Sequence, residues 1–147
     1  MKDKINLISE IFSYPEKEFL KDREIEFVRL FINNYEKSLC SPYAFDYFNN
    51  LTPSEFFLNL KNLYKSAGLE ISPDYNERED HIVTLIEFLG YLIEIKTPEN
   101  YLKKFFKNYL FWIKDFAQCI EQNTENEHYL KGAKLLKEIY NEFSENN

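Results

Sequence analysis

The chain has 147 residues, 44% hydrophobic and 18% aromatic, and sets 18 basic against 25 acidic side chains for a net charge of −7. That length fits one compact domain, residues 1–147, and eleven Tyr, fourteen Phe and one Trp exclude intrinsic disorder. Three Gly are too few for the tight turns of an all-β chain, and an acidic chain without a concentrated basic patch is excluded as a nucleic-acid binder.

Taken in chain order, the apolar spacing is helical nearly everywhere. Lys2, Asp3 and Lys4 lead directly into an amphipathic segment bearing Ile5, Ile8, Ile11 and Phe12, a start that lacks the pattern of a secretory leader. This segment is expected to stop before Pro15, because a residue preceding proline is pushed out of the α region. A second helix is read from Glu16 to Ser38, burying Phe19, Leu20, Phe27, Leu30, Phe31 and Tyr35. The stretch Cys40-Ser41-Pro42-Tyr43 reads as a loop, followed by aromatic Phe45, Tyr47 and Phe48, and the patch of Tyr43 with these three reads as more core than groove. Thr52-Pro53-Ser54-Glu55 is a capping box with proline at the first helical position, and that helix should end at Gly68. A very apolar helix is expected from Glu77 to Lys96, and Thr97-Pro98 should open another, running as one piece from Pro98 to Glu121, with Trp112 in the core. Thr124 with Glu127 predicts a further capping box before a last helix carrying Tyr129, Ala133, Leu136, Ile139 and Phe143. Short connections imply successive helices packed as antiparallel neighbours. The longest apolar stretch, Ile82 to Ile95, is interrupted by Glu87 and Glu94 and is too short for a bilayer, so a soluble protein without membrane insertion is expected.

Catalytic patterns fail on spacing. His81 and His128 form no HExxH, and Glu125 with His128 gives a single Glu-x-x-His where a di-iron bundle needs two. The run Asp74, Asn76, Arg78, Asp80 mimics a calcium loop, but Glu79 replaces its glycine and Leu85 its bidentate glutamate. No phosphate-cradling glycine loop is present. The expectation is therefore no catalytic residue, no metal and no cofactor. Cys40 and Cys119 lack CxxC spacing and read as free thiols of a reducing compartment. The segment from Glu70 to His81 concentrates five carboxylates and one Arg ahead of the most apolar helix. It reads either as a solvated loop whose acids favour the helix N-terminus, or as an acidic site for a cationic ligand.

The order of motifs adds to this. Glu26-Phe27-Val28-Arg29-Leu30-Phe31-Ile32 is followed by Ser41-Pro42-Tyr43, then Tyr64-Lys65-Ser66-Ala67-Gly68-Leu69-Glu70, then Asp80-His81-Ile82 running into Leu85-Ile86-Glu87-Phe88-Leu89-Gly90-Tyr91-Leu92. This series, continued in Trp112 to Ala117 and Tyr129 to Leu136, resembles the TorD/DmsD/NarJ family of chaperones that mature molybdenum-containing redox enzymes. The resemblance implies an all-α, single-domain, TorD-like helical bundle, shortened between Pro15 and Glu26. It implies a cytoplasmic chaperone rather than an enzyme, one that binds the N-terminal, often twin-arginine, signal segment of a molybdoenzyme catalytic subunit and holds it for cofactor insertion. By residue, the family's Asp-His pair falls on Asp80 and His81, its Pro-Tyr loop on Pro42 and Tyr43, and its helix face on Glu87, Phe88 and Leu89. Relatives occur as monomers and as helix-exchanged homodimers. The expected peptide site joins Asp74, Glu77, Glu79 and Asp80 to Tyr43, Phe45, Phe88 and Tyr91, with His81 tuning the grip near neutral pH and Asp80 alternatively serving as a helix cap. Competing readings are a helical adaptor that binds a folded enzyme subunit without reading a signal, and a nucleotide-binding helical protein.

Overall fold

Residues 1–15, 21–32, 38–70, 72 and 77–144 are described by a computed structural model. Helix α1, Lys2–Phe12, buries Ile5, Ile8, Ile11 and Phe12 and ends where Ser13 turns extended. Helix α2, Lys21–Phe27, continues through one wider π turn, Val28–Ile32, and the two bury Phe27, Leu30 and Phe31. Phe19, Leu20 and Tyr35, expected in that stripe, lie outside the described residues. A short 3-10 turn, Ala44–Tyr47, precedes α3, Pro53–Ser66, whose Thr52–Glu55 capping box forms in full. Gly68, at φ 85°, lets Leu69 N–H reach back to the Tyr64 carbonyl and close the helix.

Four sequence expectations change at helix ends. Helix α4 spans Ile82–Glu94, not Glu77 to Lys96. Its start is delayed because Pro42–Ala44 and Asp80–Ile82 exchange backbone hydrogen bonds around Tyr43 and His81, which holds His81 extended. The single helix expected from Pro98 to Glu121 is two. Helix α5, Glu99–Phe105, widens into a π turn, Phe106–Leu110, and the chain bends at Phe111 and Trp112 before α6, Ile113–Asn123. The wider turn rotates the apolar face, so that Phe105, Phe106, Leu110 and Trp112 all point inward, and the Trp112 indole N–H bonds the Tyr109 carbonyl at 2.7 Å. Pro98 occupies the N-cap of α5 without a side-chain bond, so Thr97-Pro98 does not repeat the Thr52 arrangement. At the start of α7, Glu127–Ser144, the Asn126 side chain accepts the His128 and Tyr129 N–H groups, a role expected of Thr124. The Thr124 hydroxyl instead meets the Glu26 carboxylate.

The packing is also less sequential than short connections imply. Helices α6 and α7 do pair as neighbours in sequence, but α1 lies across α4 and α7. It approaches closely enough that Gly90 and Gly132 face its apolar side directly. Under it, Phe12, Phe27, Phe31, Phe116 and Tyr129 meet edge-on or tilted, with ring centroids 5.1 to 6.3 Å apart. No helix among the described residues is long and apolar enough to cross a membrane.

The cysteines correct the sequence reading most sharply. Cys40 and Cys119 are joined in a disulfide, Cα atoms 5.8 Å apart and 79 residues apart in sequence, tying the segment before Pro42 to α6. Sequence spacing carried no sign of this, because the contact is made by the bundle rather than by local geometry.

A Cβ at position 132 would stand 2.8 Å from Ile11 Cγ2 and Phe12 Cζ. Gly132→Ala is therefore expected to lower the melting temperature by several degrees, since overpacking costs about 1–3 kcal/mol and outweighs the gain of about 1 kcal/mol in helix propensity. Thermal denaturation followed by circular dichroism measures the difference.

Candidate functional site

The segment that the sequence singles out is built around one buried carboxylate. Asp80 is 0% exposed. Its Oδ1 and Oδ2 accept from Arg78 Nε and Nη2 at 2.9 and 2.8 Å, and Oδ2 also accepts from Phe45 N–H at 2.9 Å. The Arg78 guanidinium lies 4.1 Å from the Tyr43 ring centroid and 5.4 Å from that of Phe57. Burial pushes the Asp80 carboxyl above its ordinary range, while Arg78 and the Phe45 N–H pull it back. A charge can be kept in the interior only when so paired. Asp80 is thus already gripped by an arginine of its own chain, and its carboxylate is not part of an exposed acidic lip.

His81 caps α4. Its Nδ1 accepts from Val83 N–H at 3.1 Å, which puts the imidazole proton on Nε2, 3.7 Å from Glu77 Oε2. The capping role considered for Asp80 therefore belongs to His81. Burial lowers the His81 pKa to about 4, against a pull upward from Glu77, with Arg78 adding to the decrease. The ring stays neutral through the physiological range, so it does not titrate near neutrality as the sequence reading expected.

Among the described residues, three hollows include side chains expected at the site. The first hollow, about 590 Å³, is lined by Phe31, Ile32, Leu39, Tyr43, Tyr47 and Arg78, with Asp46 at its edge, and Ile32 and Leu39 are 55% and 43% exposed. The second, about 480 Å³, gathers Glu70, Glu77 and Glu79 with Lys61 and Lys65 on the α3 side. The two meet at a ridge where the Tyr43 hydroxyl donates to Glu77 Oε1 at 2.7 Å. The Glu79 side chain makes no hydrogen bond or ion pair among the described residues. The third hollow, about 340 Å³, lies between α1 and α4 and includes Glu87 and Tyr91 with Ile5, Gly90 and Ile93.

The expected site residues therefore separate. Tyr43 faces the first hollow, Glu77 and Glu79 the second, and Glu87 and Tyr91 the third. Pro42, Asp80, His81, Phe88 and Leu89 are buried, and Phe88 packs edge-on to Tyr64 and Phe105 at 4.7 and 5.2 Å. Phe45 lies against Phe56, and Tyr47 stacks on Trp112 at 4.8 Å. Asp74 lies outside the described residues. Sequence reasoning missed Arg78 as the hub of the segment and Ile32 and Leu39 as exposed apolar walls. The Arg-x-Asp spacing before a helix start was the available signal for the first. No group of His, Cys, Asp and Glu converges to hold a metal among the described residues.

Comparison with known proteins gives two findings. The family model described as nitrate reductase delta subunit matches residues 2–118. The crystal structure of an Archaeoglobus fulgidus protein assigned to redox enzyme maturation superposes with a TM-score of 0.66 at 23% identity, covering 95% of this chain and 93% of that one. The same all-helical fold is thus present in both. No curated protein shows significant sequence similarity to the chain.

Two outcomes are expected from this geometry. Asp80→Ala leaves Phe45 N–H and a partly buried guanidinium unpaired; breaking a buried pair costs about 3–5 kcal/mol, and rehydration of half-exposed Arg78 reduces that to about 2 kcal/mol. The melting temperature should fall by about 6 °C, as read by calorimetry. The second outcome concerns acid. With a folded pKa of about 4 below the ordinary 6.5, His81 contributes a loss of stability that begins as the unfolded chain takes up its proton below 6.5 and is complete near 4. Asp80, shifted upward, acts in the opposite sense. His81→Asn keeps a capping acceptor without the titration. The variant should therefore lose fewer degrees of melting temperature than the parent between pH 7 and pH 5, and parallel losses would remove His81 from the account.

Proposed function

Because the chain belongs to the nitrate reductase delta subunit family, which comprises redox-enzyme maturation chaperones of the NarJ/TorD type and not catalysts, we propose that it holds the N-terminal signal segment of a molybdoenzyme subunit in the cytoplasm while that subunit is completed. Signal segments of the twin-arginine kind carry a basic pair beside an apolar stretch. A receptor for one needs carboxylates next to an apolar wall. The observation that carries the reading is the junction of two hollows. Glu79, whose side chain has no partner among the described residues, lies on the acidic side of the Tyr43–Glu77 ridge, and exposed Ile32 and Leu39 lie on the other. In this reading the basic residues pair with Glu79 and Glu70, and the apolar residues lie along Phe31, Ile32, Leu39 and Tyr47. Asp80 and His81 keep the ridge in place without touching the client. Glu87 and Tyr91, in the separate hollow between α1 and α4, are left outside the contact.

Lys61 and Lys65 offset part of the acidic charge, so the attraction rests on position more than on net field. A half-buried charge-assisted bond falls between an exposed ion pair, up to about 1 kcal/mol, and a desolvated one, about 1.5–3 kcal/mol. Glu79→Gln should then weaken binding of a twin-arginine peptide about tenfold in titration calorimetry, and Ile32→Asp should weaken it at least as much. Unchanged affinity in both variants would reject this site. Capture of a client subunit that lacks its first residues, as strongly as the intact subunit, would favour the adaptor reading instead.

A further inference from the structure

The disulfide joins the bundle at a position that bears on the first hollow. Leu39 and Ser41, the residues on either side of Cys40, both line it. On the far side of Cys40, the Pro42 carbonyl and Ala44 N–H are fastened to Ile82 and Asp80 by backbone bonds of 2.8 and 3.0 Å, and the Ser41 carbonyl accepts from the Tyr47 hydroxyl at 2.8 Å. On the near side, among the described residues, Cys40 N–H bonds the Leu30 carbonyl at 2.8 Å, the Leu39 carbonyl lies 3.4 Å from Cys119 Sγ, and the disulfide makes the covalent link to α6. Both contacts of this wall with α6 run through Cys119, and the covalent one is a bond that a reductant can open, with a firmly anchored turn just beyond it.

We propose that the Cys40–Cys119 disulfide is a redox latch on the apolar hollow, which keeps the Leu39 wall positioned for a client segment when closed and loosens it when reduced. The inference rests on the reading of that hollow as the client site. The chemistry is thiol–disulfide exchange with a protein dithiol of the thioredoxin class. Cys119 on α6 is partly exposed, whereas Cys40 is 1% exposed, so Cys119 is the more accessible of the two cysteines. A thiolate of the reductant attacks Cys119 Sγ, forms the mixed disulfide and expels Cys40 as thiolate, which takes up a proton. The second thiol of the reductant then attacks its own sulfur in the mixed disulfide and releases Cys119. Two electrons and two protons have passed to the chain, and the reductant has become a disulfide. Asn123 Nδ2, 3.6 Å from Cys119 Sγ, is placed to donate to that departing sulfur. The Pro42–Ala44 pairing with Asp80–Ile82 involves neither cysteine, so the acidic hollow and the ridge persist in both states.

The test measures affinity for a cysteine-free twin-arginine peptide with the chain oxidised, with the chain reduced by dithiothreitol, and with Cys40→Ser/Cys119→Ser. Hydrogen exchange at the Cys40 amide and the helical signal are followed in each. The expected result is an affinity about tenfold weaker on reduction, matched by the double variant, faster exchange at Cys40, unchanged helicity, and no response of the variant to reductant. Equal affinity in the oxidised and reduced forms would overturn the latch and leave the client site standing. Loss of helical signal on reduction, or a bond that opens only in denaturant, would make the disulfide a staple and also overturn it. Failure of the peptide to bind any form would overturn the client reading, and the latch with it.

Discussion

The Asp80 carboxylate organises everything around it. A charge at full burial is tolerated only if its surroundings repay the lost water, and here Arg78 and the Phe45 N–H do so together. Those bonds draw the 3-10 turn Ala44–Tyr47 onto the start of α4, where backbone pairing around Tyr43 and His81 completes the join. The position of Tyr43, and hence of the ridge between the acidic and apolar hollows, follows from that join. Replacing the whole constellation by apolar groups would be a different protein with no fixed ridge; removing one member leaves the others stranded.

This arrangement separates two duties that a sequence motif presents as one. The Asp-His pair that opens α4 is a fastening, satisfied within the chain and shielded from solvent. Recognition in the proposed reading falls to its neighbours: Glu79 beside it in sequence, and the apolar walls opposite. A residue pair can therefore be indispensable to a binding protein without meeting the ligand. Arg78 shows the same division, because its charge is spent on Asp80 while its flat face stacks on Tyr43.

Much of the fold was legible in advance. The stripes of α1 and of the described part of α2 followed from helical spacing, and the Thr52 box and Gly68 marked both ends of α3. What was not legible depended on contacts between distant segments. The late start of α4 comes from pairing with Pro42–Ala44, and the π turn at Phe106–Leu110 comes from the demand to bury four aromatic and aliphatic side chains on one face. The disulfide is of the same kind. At the candidate site, the sequence marked the segment through its density of carboxylates. It could not reveal which of them faced inward, since Glu79 and Asp80 are adjacent and differ only in the direction the backbone gives them.

The placement of α1 across α4 and α7 has a bearing on how the molecule is made. Helix α1 has its seat over Gly90 and Gly132, both far from it in sequence. During synthesis its greasy side precedes the helices that cover it and stays bare until α4 and α7 have followed. This join is thus a late one, closed only after the segments between have been made.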